Sequence, residues 1–257
     1  MKRFALLTMT ALLVLAFGAC NEVERETEIR SESFALPAQY RLEVDTFNGA
    51  IRVTEGKDPQ VIVVATINQP QQLEYDAHVE GDTLKITATV IKEHTRPGPG
   101  VGLEIIAPPN AVLNLRTSNG RIEVFGVGSG GELETSNGRI TLERVEGLFV
   151  LNTSNGLVTL SGVRGSFGVE TSNGSIQFDG ALDPDTNTQL RTSNGSIDMV
   201  VGPDANIEID AQSNNGNVDV AYPLTDASVS DGKIVGTLGT GSSKLRLRTS
   251  NGNINVR

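Results

Sequence analysis

The tetrapeptide Thr-Ser-Asn-Gly occurs six times between Thr117 and Gly252, each time followed by residues of strand character. Asn-Gly is a strong signal for a tight turn, so this chain makes one corner again and again. The glycine marks the phase. It stands at Gly120, Gly138, Gly156, Gly174, Gly195, Gly216 and Gly252, with Ser-Asn-Asn-Gly as the variant before Gly216. The steps are 18, 18, 18, 21, 21 and 36 residues. A period near 20 is the signature of a repeat architecture. The 36-residue step reads as a worn copy at Asp231-Gly232, and an isolated earlier copy stands at Asn48-Gly49.

The flanks of each corner fix its type. Three residues after Asn stand Ile122, Ile140, Val158, Ile176, Ile197, Val218 and Ile254, and five after stand Val124, Leu142, Leu160, Phe178, Met199, Val220 and Val256. Four before stand Leu115, Leu133, Leu151, Val169, Leu190, Ala211 and Leu247. Eight after, the first four copies add Val127, Val145, Val163 and Ala181. Polar residues fill the gaps. Alternation with period two on both sides of a corner means two half-buried strands per repeat.

Such repeats build either a meander of hairpins or a β-solenoid, in which position i stacks on i+18. Only stacking explains why all four motif residues recur, since each then lies on its own copy. The expectation is an all-β, right-handed parallel β-solenoid of 18–21-residue coils. The Asn side chains are expected to form a hydrogen-bonded ladder, and Gly to supply positive φ at the corner. Alternation turns the motif Thr inward and Ser118, Ser136, Ser154, Ser172, Ser193 and Ser250 outward, as a flat surface without a pocket. Register predicts Arg116 beside Glu134 and Glu170 beside Arg191. The structural corner residues are thus Asn119, Gly120, Asn137, Gly138, Asn155, Gly156, Asn173, Gly174, Asn194, Gly195, Asn215, Gly216, Asn251 and Gly252.

The N-terminus has other business. Lys2 and Arg3 precede an apolar run from Phe4 to Gly18, too short for a spanning helix and typical of a secretory signal, here residues 1–19. It ends "LAFGAC", and the sole cysteine, Cys20, stands where a lipobox places its lipidated residue. Cleavage near Ala19 without lipidation is the alternative. Residues 20–34, "CNEVERETEIRSESF", read as lipidated Cys plus charged, solvated tether, with a short helix as the alternative. Residues 35–112 read as an irregular β N-terminal part of the solenoid, or else a separate small β-domain, and 113–257 as the regular solenoid. Net charge is −10, and −12 once Lys2 and Arg3 leave. That argues against nucleic acid and against docking on anionic lipid through a basic patch.

The series "VDTFNGAIRV", "TSNGRI" and the closing "DGKIVGTLGTGSSKLRLRTSNGNINV" resembles the bacterial toast-rack, or adhesin-like, family over about residues 35–257. The resemblance implies a right-handed β-solenoid on the cell envelope and brings no catalytic residues with it.

Chemistry offers little else. His78 and His94 lie outside the regular repeats, and one Cys gives no thiolate metal site. Glu123, Asp198 and Asp219 occupy equivalent outward positions and read as a solvated face, against a paired-carboxylate glycosidase site. The loop Asp179–Asn187 gathers oxygen ligands but reads as turn chemistry. The expectation is therefore a non-enzymatic, exported, lipid-anchored envelope protein with neither metal nor cofactor. It would be held at the membrane by its lipid, outer membrane if the host has two. Its surface would meet an extracellular polymer or an envelope protein. A polysaccharide-acting enzyme and an accessory of envelope-stress signalling are the alternatives.

Overall fold

A computed structural model describes residues 26–91, 98–202 and 204–257. The signal segment, Cys20 and His94 lie outside the described residues. The alternating pattern folds into two long walls of mostly parallel strands that meet at the Asn-Gly corners. Along the rod, the first wall begins with β5 (Leu73–Glu80), β6 (Thr83–Val90) and β2 (Tyr40–Asn48). It continues through β8 (Ala111–Asn119), β10 (Gly130–Thr135), β12 (Glu146–Thr153) and the second half of β13 (Val158–Thr171). It ends with β15 (Asn187–Asn194), β21 (Ser243–Asn251), β17 (Ile207–Asn215), β20 (Lys233–Leu238) and β19 (Thr225–Ser230).

The second wall begins with β1 (Thr27–Ala35), β4 (Gln60–Asn68), β7 (Gly100–Ala107) and β3 (Ile51–Glu55). It continues through β9 (Ile122–Phe125), β11 (Ile140–Glu143) and the first half of β13. It ends with β14 (Ile176–Leu182), β16 (Ile197–Val200), β22 (Ile254–Val256) and β18 (Val218–Val220). In the coils of Gly120 to Gly174 the stacking is i on i+18: Leu115, Leu133, Leu151 and Val169 lie in one column. This is a parallel β-solenoid, not a meander.

The core fills the space between the walls. Leu115, Leu133, Leu151, Leu190 and Leu247 are fully buried, as are Ile122, Ile140, Val158, Ile176, Ile197 and Ile254. Midway along the rod Phe149 stacks on Phe167 (centroids 6.2 Å apart), and Phe167 meets Phe178 edge-on at 5.4 Å. Val127, Val145 and Val163 are buried, but Ala181 is exposed. A register shift after Ser161 sets Gly180, not Ala181, against Val163.

Three sequence expectations need correction. First, residues 27–34 are not a solvated tether. They form β1, antiparallel to β4, and bury Phe34. The charged alternation hid a strand because its other face is exposed; the backbone of β4 would otherwise stand unpaired at the edge of its wall. Second, Asp231-Gly232 is not a coil corner. It is the turn of the antiparallel hairpin β19–β20, with Gly232 at φ 66°, and β20 pairs antiparallel with β17. Third, the coils do not stack in sequence order at the C-terminal end. β21 lies between β15 and β17, and β22 between β16 and β18, so the Gly252 coil is inserted between those of Gly195 and Gly216. At the other end β2 and β3 pair in parallel with β8 and β9, with Asn48 opposite Asn119. Residues 35–112 thus share the solenoid's walls and core.

Candidate functional site

The corner is where the repeated residues converge. Each Asn donates from Nδ2 to Oδ1 of its neighbour: Asn119 to Asn48, Asn137 to Asn119, Asn155 to Asn137 and Asn173 to Asn155. Asn194 then donates to Asn173, Asn251 to Asn194 and Asn215 to Asn251, all bonds being 2.8–2.9 Å. Asn48 closes the row by donating to the Pro99 carbonyl. A second ladder runs inside it. The buried hydroxyls of Thr117, Thr135, Thr153, Thr171, Thr192, Thr249 and Ser213 each donate to the carbonyl of a corner glycine on the adjacent coil, at 2.7–3.3 Å.

The reason for glycine differs from the expectation. Only Gly216 and Gly252 of the seven, with Gly49, have positive φ. At Gly120, Gly138, Gly156, Gly174 and Gly195 the requirement is close approach: a Cβ there would lie 1.8–2.0 Å from the carbonyl oxygen of the neighbouring coil's glycine. Glycine is needed because backbone packs on backbone.

Outside the ladder, Ser136, Ser154 and Ser172 are exposed, and Ser118, Ser193 and Ser250 half-buried. The edge is not flat throughout. At its N-terminal end a hollow of about 590 Å³ is lined by Asn48, Asn68, Gln69, Pro99, Val101 and Asn119 among others. Arg116 pairs with Glu134 at 2.6 Å and Arg191 with Glu170 at 3.7 Å. Glu123, Asp198 and Asp219 do not form one stripe. Thr141, Thr159 and Gln177 separate the first two, and Asn255, which donates to Asp198 at 2.7 Å, separates the last two. In the Asp179–Asn187 loop, Asp183 pairs with Arg164 at 3.0 Å and its carbonyl accepts from Thr186, while Asp185 takes φ 58°. The last two are turn features, and the Arg164 pair ties the loop to the neighbouring coil. His78 lies against Asp76 at 2.6 Å.

Sequence reading missed three features. Asp210 receives Arg248, with Lys233 at 3.7 Å and Arg246 at 3.9 Å. Burial pushes its carboxyl up, but the Arg248 hydrogen bond and the three cations outweigh burial and hold it below the usual carboxylate range. Nothing in the order of the repeats places Arg248 beside Asp210. At the N-terminal end Arg30 pairs with Glu28 at 2.6 Å and lies 5.6 Å from the Tyr75 ring. There burial pushes up both the Glu32 carboxyl and the Tyr75 phenol, whose hydroxyl is buried without a hydrogen-bond partner among the described residues. Finally, Val112, Leu148 and Val150 stand exposed on the outer face of the first wall, beside Gly130 and Gly168. Among the described residues there is no group of three or more His, Cys, Asp or Glu able to hold a metal, and no helix long and apolar enough to cross a membrane.

The chain is similar to a "putative cell adhesion protein" from Clostridium sporogenes (10% identity, 91% of this chain and 99% of that one, TM-score 0.40). It is similar also to a "putative adhesin" from Bacteroides fragilis (10% identity, 89% and 97%, TM-score 0.40). No functionally curated protein matches. The family model described as Toastrack DUF4097 matches residues 111–257, which hold all seven repeat corners, so the chain belongs to the toastrack DUF4097 family.

Proposed function

We propose that this protein is a non-enzymatic, lipid-anchored scaffold of the bacterial cell envelope, whose outer faces serve as an adhesin-like binding surface for an extended polymer or an envelope protein. One observation carries the reading: the repeated polar groups are engaged between coils. Asn bonds to Asn from Asn48 to Asn215, and from Thr117 onward each inward corner Thr or Ser bonds to a glycine carbonyl, so the regular corners repeat one another and bring no acid and base together. A catalytic site needs the opposite, local departures that bring an acid, a base and a stabiliser together. What the rod offers outward is a repeating row of amides and hydroxyls at a coil spacing of ~4.8 Å, suited to weak, repeated contact with an extended chain. The "FGAC" sequence at residues 17–20 supports anchoring at Cys20.

Two measurements test this. Cells are fed an alkyne fatty acid and the label on wild type and Cys20→Ser is compared; equal labelling removes the anchor. The purified protein is then incubated with cell-wall and plant polysaccharides, with and without calcium, while binding, reducing ends and unsaturated products are followed. Binding without turnover is expected. Turnover abolished by Glu32→Gln, or by loss of one acidic pair, overturns the non-enzymatic reading.

A further inference from the structure

The ladder has a direction, and therefore an unprotected end. Every Asn donates toward Asn48, so every Oδ1 from Asn48 to Asn251 accepts a bond from the next coil. Asn215 stands last. It donates to Asn251, but among the described residues its own Oδ1 accepts nothing. Its glycine is equally distinct. Gly216 is exposed, whereas Gly49, Gly120, Gly138, Gly156, Gly174, Gly195 and Gly252 are half-covered by the coils around them.

Asn-Gly is chemically labile in this particular way. With no side chain on the glycine, its backbone nitrogen can attack the Asn side-chain carbonyl. We propose that Asn215–Gly216 is a site of spontaneous deamidation, and that the ladder protects the other Asn-Gly pairs from the same reaction. The Gly216 nitrogen forms a bond to Asn215 Cγ and loses its proton. The Cγ–Nδ2 bond breaks and ammonia leaves, giving a cyclic imide. Water, the one co-reactant, opens the imide at either carbonyl to give aspartate or isoaspartate at position 215. The net change is amide plus water to carboxylate plus ammonium.

The ladder acts on the first step. Cγ must rotate toward the following nitrogen, and for an interior Asn this breaks two side-chain hydrogen bonds, one donated and one accepted. Asn215 breaks one. The difference of one hydrogen bond, with the exposure of Gly216, sets an expected advantage on the order of fivefold or more. The product has a consequence. A carboxylate at 215 has no N–H to donate to Asn251 Oδ1, and isoaspartate adds a methylene to the main chain between β17 and β18. The outermost coil then loosens from β21 and β22, the inserted pair it covers.

The full-length protein is incubated at mildly alkaline pH, and isoaspartate at each Asn-Gly is followed by fragment-resolved mass spectrometry and by isoaspartate-specific methylation. Modification should accumulate first at 215. In denaturing urea, where no ladder exists, the rates should converge. The variant Asn155→Ala removes the donor to Asn137 Oδ1, so Asn137 should then accelerate relative to Asn119. Uniform native rates, or an interior Asn as the fastest site, would overturn the proposal. So would a native preference for position 215 that persists unchanged in urea, which would make it a local sequence effect. If Asn155→Ala does not fold, the native-versus-urea comparison decides alone.

Discussion

Gly138→Ala isolates the contact that sets the coil spacing. A Cβ on Gly138 would lie 1.9 Å from the Gly120 oxygen and 2.6 Å from its carbon, short of the 3.4 Å at which ordinary contact begins. Both atoms are backbone, so no rotamer change relieves the clash. The coils must separate locally by 1.5 Å. Three bonds hold them there, each 2.9 Å: Asn137 Nδ2 to Asn119 Oδ1, Thr135 Oγ1 to Gly120 O and Asn137 N to Ser118 O. None survives that displacement as a good hydrogen bond. At ~1 kcal/mol each the loss is about 3 kcal/mol, at the upper end of the usual 1–3 kcal/mol for overpacking. Because Gly138 does not have positive φ, this cost is one of collision and not of backbone strain. Gly102→Ala is the control. A Cβ there meets nothing within 4 Å, and reduced freedom of the unfolded chain should stabilise by about 0.4–1 kcal/mol. Urea unfolding followed by circular dichroism reads both. An unchanged midpoint and slope for Gly138→Ala would refute the argument from coil approach.

Further tests address the inner ladder, coil order and Asp210. Thr153→Val keeps the shape but leaves the Gly138 carbonyl unsatisfied, and should cost about 1–3 kcal/mol in the same assay, with Thr153→Ser recovering part of it. In a Cys20→Ser background, cysteines at Ser193 and Ser250 should be joined by a short bifunctional crosslinker, since β15 and β21 are adjacent; cysteines at Ser193 and Asn214 should not, because β21 lies between them at ~4.8 Å per strand. The depressed Asp210 carboxyl contributes stability above its unfolded value near ~3.9 and loses it as pH falls through the lower folded value. The stability gap between wild type and Asp210→Asn should therefore be full near neutrality and shrink below about pH 4, measured as urea midpoints against pH.

Much of the solenoid is legible because a repeat states its own register. The inward column from Leu115 to Leu247, the inward Thr and the outward Ser follow from period two around a fixed corner, and stacking on i+18 from the recurrence of the whole motif. The candidate surface was legible to the same extent. The Asp210 network, the Arg30–Tyr75 contact and the exposed Val112, Leu148 and Val150 were not, since each depends on which strands become neighbours or on one column broken by glycine.

By itself, then, the sequence determined the coil: its corner, its two walls and what each residue faces. Tertiary structure decided the order of coils at the ends. The physical reason lies in the repeat. Coils carrying Thr-Ser-Asn-Gly, or the Ser-Asn-Asn-Gly variant before Gly216 in which Ser213 supplies the hydroxyl, offer one another the same amide, hydroxyl and glycine contacts, so local chemistry hardly distinguishes Gly195 followed by Gly216 from Gly195 followed by Gly252. The choice falls to non-local terms. The hairpin at Asp231-Gly232 pairs antiparallel along the outer edge of β17, which leaves its inner edge to β21 and places the last coil between two earlier ones. Likewise β1 is a strand because β4 presents an edge to it, a condition that no reading of residues 27–34 alone contains.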